Sequence, residues 1–253
     1  MNARNPVALM FVATMVLGGC TLMNGSDTDS RIEASARDTH VYRTYLKDDS
    51  IKIEAKDGVV VLTGTVSAES HKTLAQDTVE GLPGVKRVEN RLEVTGEKAE
   101  ENSDVWILTK VKTSLWFHRS VSSLTDVDVK DGCVTLRGTA STLAEKDLTT
   151  EYARDVEGVK DVKNEMTVVK DAAAKDTATS SEKIDDASIN AQVRMALASH
   201  RSTSALHSRP VTRDGVVTLS GEAANQAQKD LAAKITRDID GVKGVTNTMT
   251  VKA

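Results

Sequence analysis

Asp214-Gly215-Val216-Val217-Thr218-Leu219-Ser220-Gly221 decides the fold, because the same pattern stands at Asp57 to Gly64 and at Asp131 to Gly138. Asp-Gly between two β-type runs is the strongest short-range signal for a tight type I′ hairpin turn, so one strand precedes it and a second follows. In the second strand Val60 and Leu62, Val134 and Leu136, and Val217 and Leu219 alternate with mostly Thr, Ser or Arg, as in a strand covered on one face. The likeness runs on without a gap through Asp57 to Val94, Asp131 to Val168 and Asp214 to Val251, with thirteen positions identical in all three copies. The chain is therefore a tandem array of one small unit.

Working outward, a helix start follows each closing glycine. Thr142 with Glu145 and Asn225 with Gln228 have capping-box spacing. Leu148, Tyr152, Val156 and Val159 repeat at helical intervals, as do Leu231, Ile235, Ile239 and Val242, which gives one apolar stripe. Gly84, Gly158 and Gly241 are read as left-handed caps that end this helix. The last strand alternates through Val88, Asn90, Leu92 and Val94 and their counterparts, and its recurrent Asn90, Asn164 and Asn247 are read as structural groups that satisfy nearby backbone.

A further helix precedes each hairpin, over Asp104 to Arg119 and about Asp186 to His200. Leu46 lies closer to its Asp-Gly than Leu115 and Leu197 lie to theirs, so the first unit is expected to have a trimmed helix or loop. The expected fold class is α/β (α+β): three tandem α-β-β-α-β units, each a three-stranded mixed sheet packed on two helices, with a right-handed crossover. The expected boundaries are a signal peptide over 1–19, a tether over 20–30, unit 1 over 31–95, unit 2 over 103–169, a linker over 170–182 and unit 3 over 183–253.

The residues Asp-Gly-Val-Val-x-Leu-x-Gly, then a helix, then Gly-Val-Lys-x-Val-x-Asn, resemble the BON domain. The resemblance covers nearly the whole mature chain. It implies periplasmic or outer-membrane location, a part in osmotic and envelope stress, and phospholipid binding. The arrangement resembles outer-membrane lipoproteins with two such domains in tandem, with a third unit added here. Its motifs are mostly turn and core residues, so they specify fold more than activity.

The N-terminus agrees with export. Arg4 and an apolar run from Val7 to Leu17 have signal-peptide proportions, too short to span a bilayer as a helix. Leu17-Gly18-Gly19-Cys20 looks like a lipobox that leaves Cys20 as a lipidated first residue. Thr21, where an Asp would resemble an inner-membrane retention signal, points to the periplasmic face of the outer membrane. Cys133 is then the one remaining cysteine, so no intramolecular disulfide forms; it is read as a small hydrophobe in a strand.

The 33 Lys and Arg against 37 Asp and Glu exclude a nucleic-acid partner, which requires a basic surface. The five histidines are read as occupying no shared position, and no pair has metal-ligand spacing on a helix. There is neither a phosphate-binding loop nor a nucleophile elbow. No catalytic residue, metal or cofactor is assigned, and the chain is expected not to be an enzyme.

The informative departure between copies is the first helix of unit 2. Ile107, Leu108, Val111, Leu115 and His118 cluster on one side, the expected core face. Trp106, Trp116 and Phe117 fall toward the other, flanked by Lys110 and Lys112, whereas unit 3 has Ser188, Ala198 and Ser199 at the aligned positions. Exposed rings with flanking lysines suit an interfacial contact with anionic phospholipid. The alternative reading is that these rings pack on a neighbouring unit or dock on an envelope protein partner, as an adaptor would.

Overall fold

A computed structural model of the chain describes residues 25–95, 99–121, 125–169 and 184–252. The signal-peptide reading, Cys20 and the linker over 170–182 lie outside the described residues.

Unit 1 comprises α1 (Gly25–Asp38), α2 (His40–Thr44), β1 (Ser50–Lys56), β2 (Val59–Val66), α3 (Glu69–Glu80) and β3 (Arg87–Val94). Unit 2 follows with α4 (Asp104–Trp116), β4 (Asp126–Lys130), β5 (Cys133–Arg137), β6 (Thr139–Ala140), α5 (Leu143–Arg154), β7 (Asp161–Asn164) and β8 (Thr167–Val168). Unit 3 has α6 (Asp186–Ser199), β9 (His207–Arg213), β10 (Val216–Ala223), α7 (Gln226–Arg237), β11 (Gly244–Asn247) and β12 (Thr250–Val251). In each unit the hairpin strands pair antiparallel and the crossover strand pairs parallel with the second, giving the expected mixed sheet with the second strand at its centre.

The turn residues behave as their chemistry requires. Asp57 and Gly58 both have positive φ, at 54° and 80°, as type I′ demands, and the other two turns repeat the pair. Gly64, which closes β2, has a φ of 112°, and a Cβ there would lie 2.0 Å from the Ser50 carbonyl oxygen, so only glycine allows the hairpin strands to approach. The recurrent asparagines tie strand to helix: Asn164 donates to the Lys146 carbonyl at 2.9 Å and accepts from the Met166 backbone N–H at 2.9 Å. Asn90 and Asn247 repeat both bonds. Thr142 and Asn225 accept from the Glu145 and Gln228 backbone N–H groups, the expected caps.

Several expectations are corrected. α1 begins at Gly25, inside the stretch assigned to a tether, and has fourteen residues, as many as α6, so unit 1 is not trimmed. Leu46 misled the alignment: Ile32 is the counterpart of Ile107 and Ile189, and each of the three packs against the glycine at Gly84, Gly158 or Gly241. Those glycines do have positive φ, but the helices end earlier, at Glu80, Arg154 and Arg237, so they shape the turn into the last strand and are not helix caps. Leu148, placed on the inner stripe of α5, is exposed, and Cys133 lies in its strand but on the open face of the sheet.

The units are not beads on a string. One hydrophobic cluster joins units 1 and 3, running from Ile32, Val60 and Leu62 to Ile189, Leu219 and Ile239, while unit 2 has its own around Ile107, Val134 and Met166. α6 is buried on nearly every side. Its small residues let other units approach: Ala187 packs on Gly81, and Ser188 Oγ accepts the Val41 backbone N–H at 3.0 Å.

Candidate functional site

α4 is capped by Ser103, whose hydroxyl accepts the Trp106 backbone N–H. Ile107, Val111 and Leu115 bury against unit 2 as expected, but Thr113 and Ser114 are buried as well. The helix is thus covered on a second face, toward α6, which the pattern of a single unit does not reveal.

The five predicted contact residues do not share one outward face. Val105 is 63% exposed beside a half-buried Trp106, and the Lys110 ammonium sits 4.0 Å from the Trp106 ring centroid while pairing with Glu157 at 3.2 Å. Such a cation over an indole face is attracted by the ring quadrupole. Lys112 is exposed. Val105 and Lys112 thus share one exposed side of α4, while Trp106 and Lys110, both half-buried, lie about 100° or more around the helix, with Trp106 packed in part on the core of unit 2.

At the other end the prediction fails for Phe117, which is 1% exposed and belongs to the cluster shared by units 1 and 3. Its ring meets Tyr45 edge-on with centroids 5.1 Å apart. Trp116, 42% exposed, stacks on Tyr45 at 5.9 Å and lies 5.5 Å from His71. Phe117 is therefore part of the shared core, whereas Trp116 rests on unit 1 and keeps an exposed edge. The helical projection failed because α4 ends at Trp116, leaving Phe117 off the helix, and because neighbouring units occupy the space it treated as solvent.

A second constellation was missed. His118 and His200 do occupy one shared position, three residues after Leu115 and Leu197. Each follows directly on the end of its unit's first helix, His200 as the C-cap of α6 and His118 one residue beyond the C-cap of α4, and crosses to the other unit. The crossing is nearly two-fold: His118 bridges Ile239 as His200 bridges Val156, and the Arg119 N–H donates to Asp238 O at 2.9 Å as the Arg201 N–H donates to Asp155 O at 2.6 Å. The two imidazoles meet at the centre of this joint, Nε2 to Nε2, at 3.1 Å. The signal was present in the sequence once the helices, not only the block from Asp-Gly onward, were superposed.

Electrostatics around the joint are strongly shaped by burial. Burial works to raise the Asp238 carboxyl, but hydrogen bonds from His118, Ser120 and Tyr152 outweigh it and hold the group below the usual carboxylate range. Asp155 is likewise held low, the nearby His200 ring and hydrogen bonds from Ser202 outweighing burial. Burial holds His118 below the ordinary imidazole range, opposed by Asp238 and reinforced by the charge of His200. Among the described residues no group of three or more His, Cys, Asp or Glu is arranged to hold a metal ion, and no helix is long and apolar enough to cross a membrane.

Three units of this topology, repeated with the same turns and strand-to-helix ties, define the class: the BON domain matches residues 28–96, 103–170 and 185–253, and the chain belongs to the BON domain family. The chain is similar to osmotically-inducible protein Y of Escherichia coli (strain K12), 32% identical over 200 residues, covering 76% of this chain and 90% of that protein. It is also similar to outer membrane lipoprotein DolP of Haemophilus influenzae, 28% identical over 179 residues, covering 62% of this chain and 92% of the relative. Among solved structures, CdsD, a structural protein of the type III secretion system of Chlamydia trachomatis, is 15% identical over 84% of this chain and 90% of its own, with a TM-score of 0.23. The family is generally non-catalytic.

Proposed function

We propose that this chain is a non-enzymatic outer-membrane lipoprotein, on the periplasmic face, that binds anionic phospholipid through unit 2 and supports envelope integrity under osmotic or envelope stress. The observation that carries the reading is the exposed Val105 next to a half-buried Trp106 whose indole holds the Lys110 ammonium at 4.0 Å, with Lys112 exposed on the same helix. Such a surface suits the headgroup level of a bilayer, where rings reach the acyl boundary and lysines meet anionic lipid. The names of the relatives, one osmotically inducible and one an outer membrane lipoprotein, support location and context. A tether at Cys20 makes weak affinity sufficient, because a lipid-anchored domain faces the bilayer at high effective concentration.

The test uses the chain with Cys20→Ser and vesicles of phosphatidylcholine with or without phosphatidylglycerol. The expected result is salt-sensitive binding to the anionic vesicles alone. Trp106→Ala combined with Lys112→Ala lowers that affinity about tenfold or more, since each lysine near an anionic surface contributes roughly 1 kcal/mol and the ring adds its apolar area. Unchanged binding in the double variant removes the site assignment. Phe117 is buried and lies outside the proposed lipid contact, whereas Trp116 keeps an exposed edge beside Tyr45. The adaptor reading is favoured instead if a photocrosslinker at position 112 captures one envelope protein and no lipid in intact cells.

A further inference from the structure

We propose that His118 and His200 form a proton-sensitive latch between units 2 and 3, which is satisfied by one shared proton and released by a second. Both rings are buried, and their Nε2 atoms lie 3.1 Å apart. Two imidazole nitrogens at that distance need one hydrogen between them, donated by one ring and accepted by the other. The outer nitrogens face carboxylates: His118 Nδ1 is 3.2 Å from Asp238 Oδ2, and His200 Nδ1 is 3.5 Å from Asp155 Oδ2, at ion-pair rather than hydrogen-bond geometry. An ionised carboxylate only accepts, so each Nδ1 is best served by carrying a hydrogen.

The count of hydrogens then decides the stable state. Three on the four ring nitrogens satisfy every contact and give the pair a single positive charge between two carboxylates. With two, either two lone pairs meet at the centre or a lone pair faces a carboxylate. With four, two N–H groups collide and two cations share a buried space, the like-charge arrangement that most disfavours protonation.

Groups from every packed element bear on this pair. From α5, Tyr152 stacks on His118 with centroids 3.9 Å apart and donates to Asp238 Oδ2 at 2.7 Å. The Ser120 hydroxyl donates to Asp238, the Ser202 hydroxyl to Asp155, and Ser114 Oγ lies 3.4 Å from His200 Nε2. Arg119 and Arg201 direct their guanidinium groups to backbone carbonyls of Arg237, Ile239, Val242 and Arg154, so neither cation neutralises the two carboxylates directly. The backbone N–H of Asp240 donates to the Phe117 carbonyl. The aspartates are thus free to favour one imidazolium.

The sign follows from where the second proton goes. A histidine in the open form takes a proton near its ordinary pKa of about 6.5, whereas the docked pair resists the second until lower pH. The lowered position of His118 agrees with that order. Below about 6.5 protons therefore bind the open form better, and docking of unit 2 on unit 3 weakens as pH falls. Above it the docked pair keeps the shared proton that the open form has given up, so docking weakens again once pH rises through the pair's first step. Both carboxyls are lowered too, so their contribution has the same sign but is lost only at more acid pH. Release has a local consequence, because Phe117 adjoins His118 and is held in the core of units 1 and 3 by the same joint.

The test places spin labels on the exposed Cys133 and on Val216→Cys, at equivalent positions of β5 and β10, in the chain carrying Cys20→Ser. A narrow distance distribution at pH 7.5 should broaden reversibly at pH 5. His118→Gln with His200→Gln should abolish the difference, and His207→Gln, exposed on β9, should retain it. An unchanged distribution in the parent, or a persisting pH response in the double variant, overturns the latch. If the double variant is already broad at pH 7.5, histidine ring NMR of the unsubstituted chain decides. A His118 midpoint below that of His207, with Nδ1 protonated in both joint rings at neutral pH, supports it; a midpoint at or above His207 overturns it.

Discussion

Asp104 does more than start a helix. Its carboxylate accepts the backbone N–H groups of Asp131 and Gly132 at 2.7 and 2.8 Å, and Asp29 and Asp186 hold the other two turns in the same way. Each hairpin is therefore pinned by the helix before it. Asp104→Ala leaves the Gly132 donor poorly satisfied and should destabilise the chain by about 1–2 kcal/mol, read as a lower urea midpoint at unchanged slope. Asp104→Asn, which keeps one acceptor oxygen, should recover part of the loss; equal destabilisation by both variants counts against the pinning role. Asp-Gly and the strand asparagines were legible because their chemistry is local. The aspartates were not, since their partners lie a helix and a strand away and an acid at a helix start is ordinarily explained by the dipole.

At the scale of elements, the sheets and second helices followed from period and punctuation, while the first helices did not. α1 was hidden because its inward face offers little more than Ile32 and Ala36, too sparse a stripe to distinguish from a polar tether. α4 and α6 were read as having one buried face when each has at least two, because an amphipathic pattern records that a surface is apolar and not what covers it. Phe117 tests this point. Phe117→Ala removes a fully buried ring from between units and should cost about 3–5 kcal/mol in thermal or urea unfolding. The same variant, assayed below its melting temperature at neutral pH, should not weaken vesicle binding. A loss of binding with little loss of stability would return Phe117 to the lipid-facing surface.

For the whole molecule, the two interfaces of unit 3 respond to pH with opposite sign. On the unit 1 side Asp77 faces Arg194 at 3.1 Å, with Glu80 at 3.2 Å from the same guanidinium nitrogen. Burial pushes the Asp77 carboxyl up to about 6, partly relieved by Arg194 and reinforced by Glu80. A carboxyl raised in the folded state stabilises it fully below its unfolded pKa and loses that contribution as pH rises through about 6. The contact of units 1 and 3 thus tightens on acidification while the histidine joint loosens. Because units 1 and 3 share a core, they should unfold in one transition distinct from that of unit 2. Asp77→Asn removes the titration, so between pH 5 and pH 7.5 the parent should lose about 1–3 kcal/mol relative to the variant. The difference should appear in the transition of units 1 and 3, followed by hydrogen exchange of α3 and α6. A gap between parent and variant that is constant over this range, or that grows toward acid pH, refutes the assignment to Asp77.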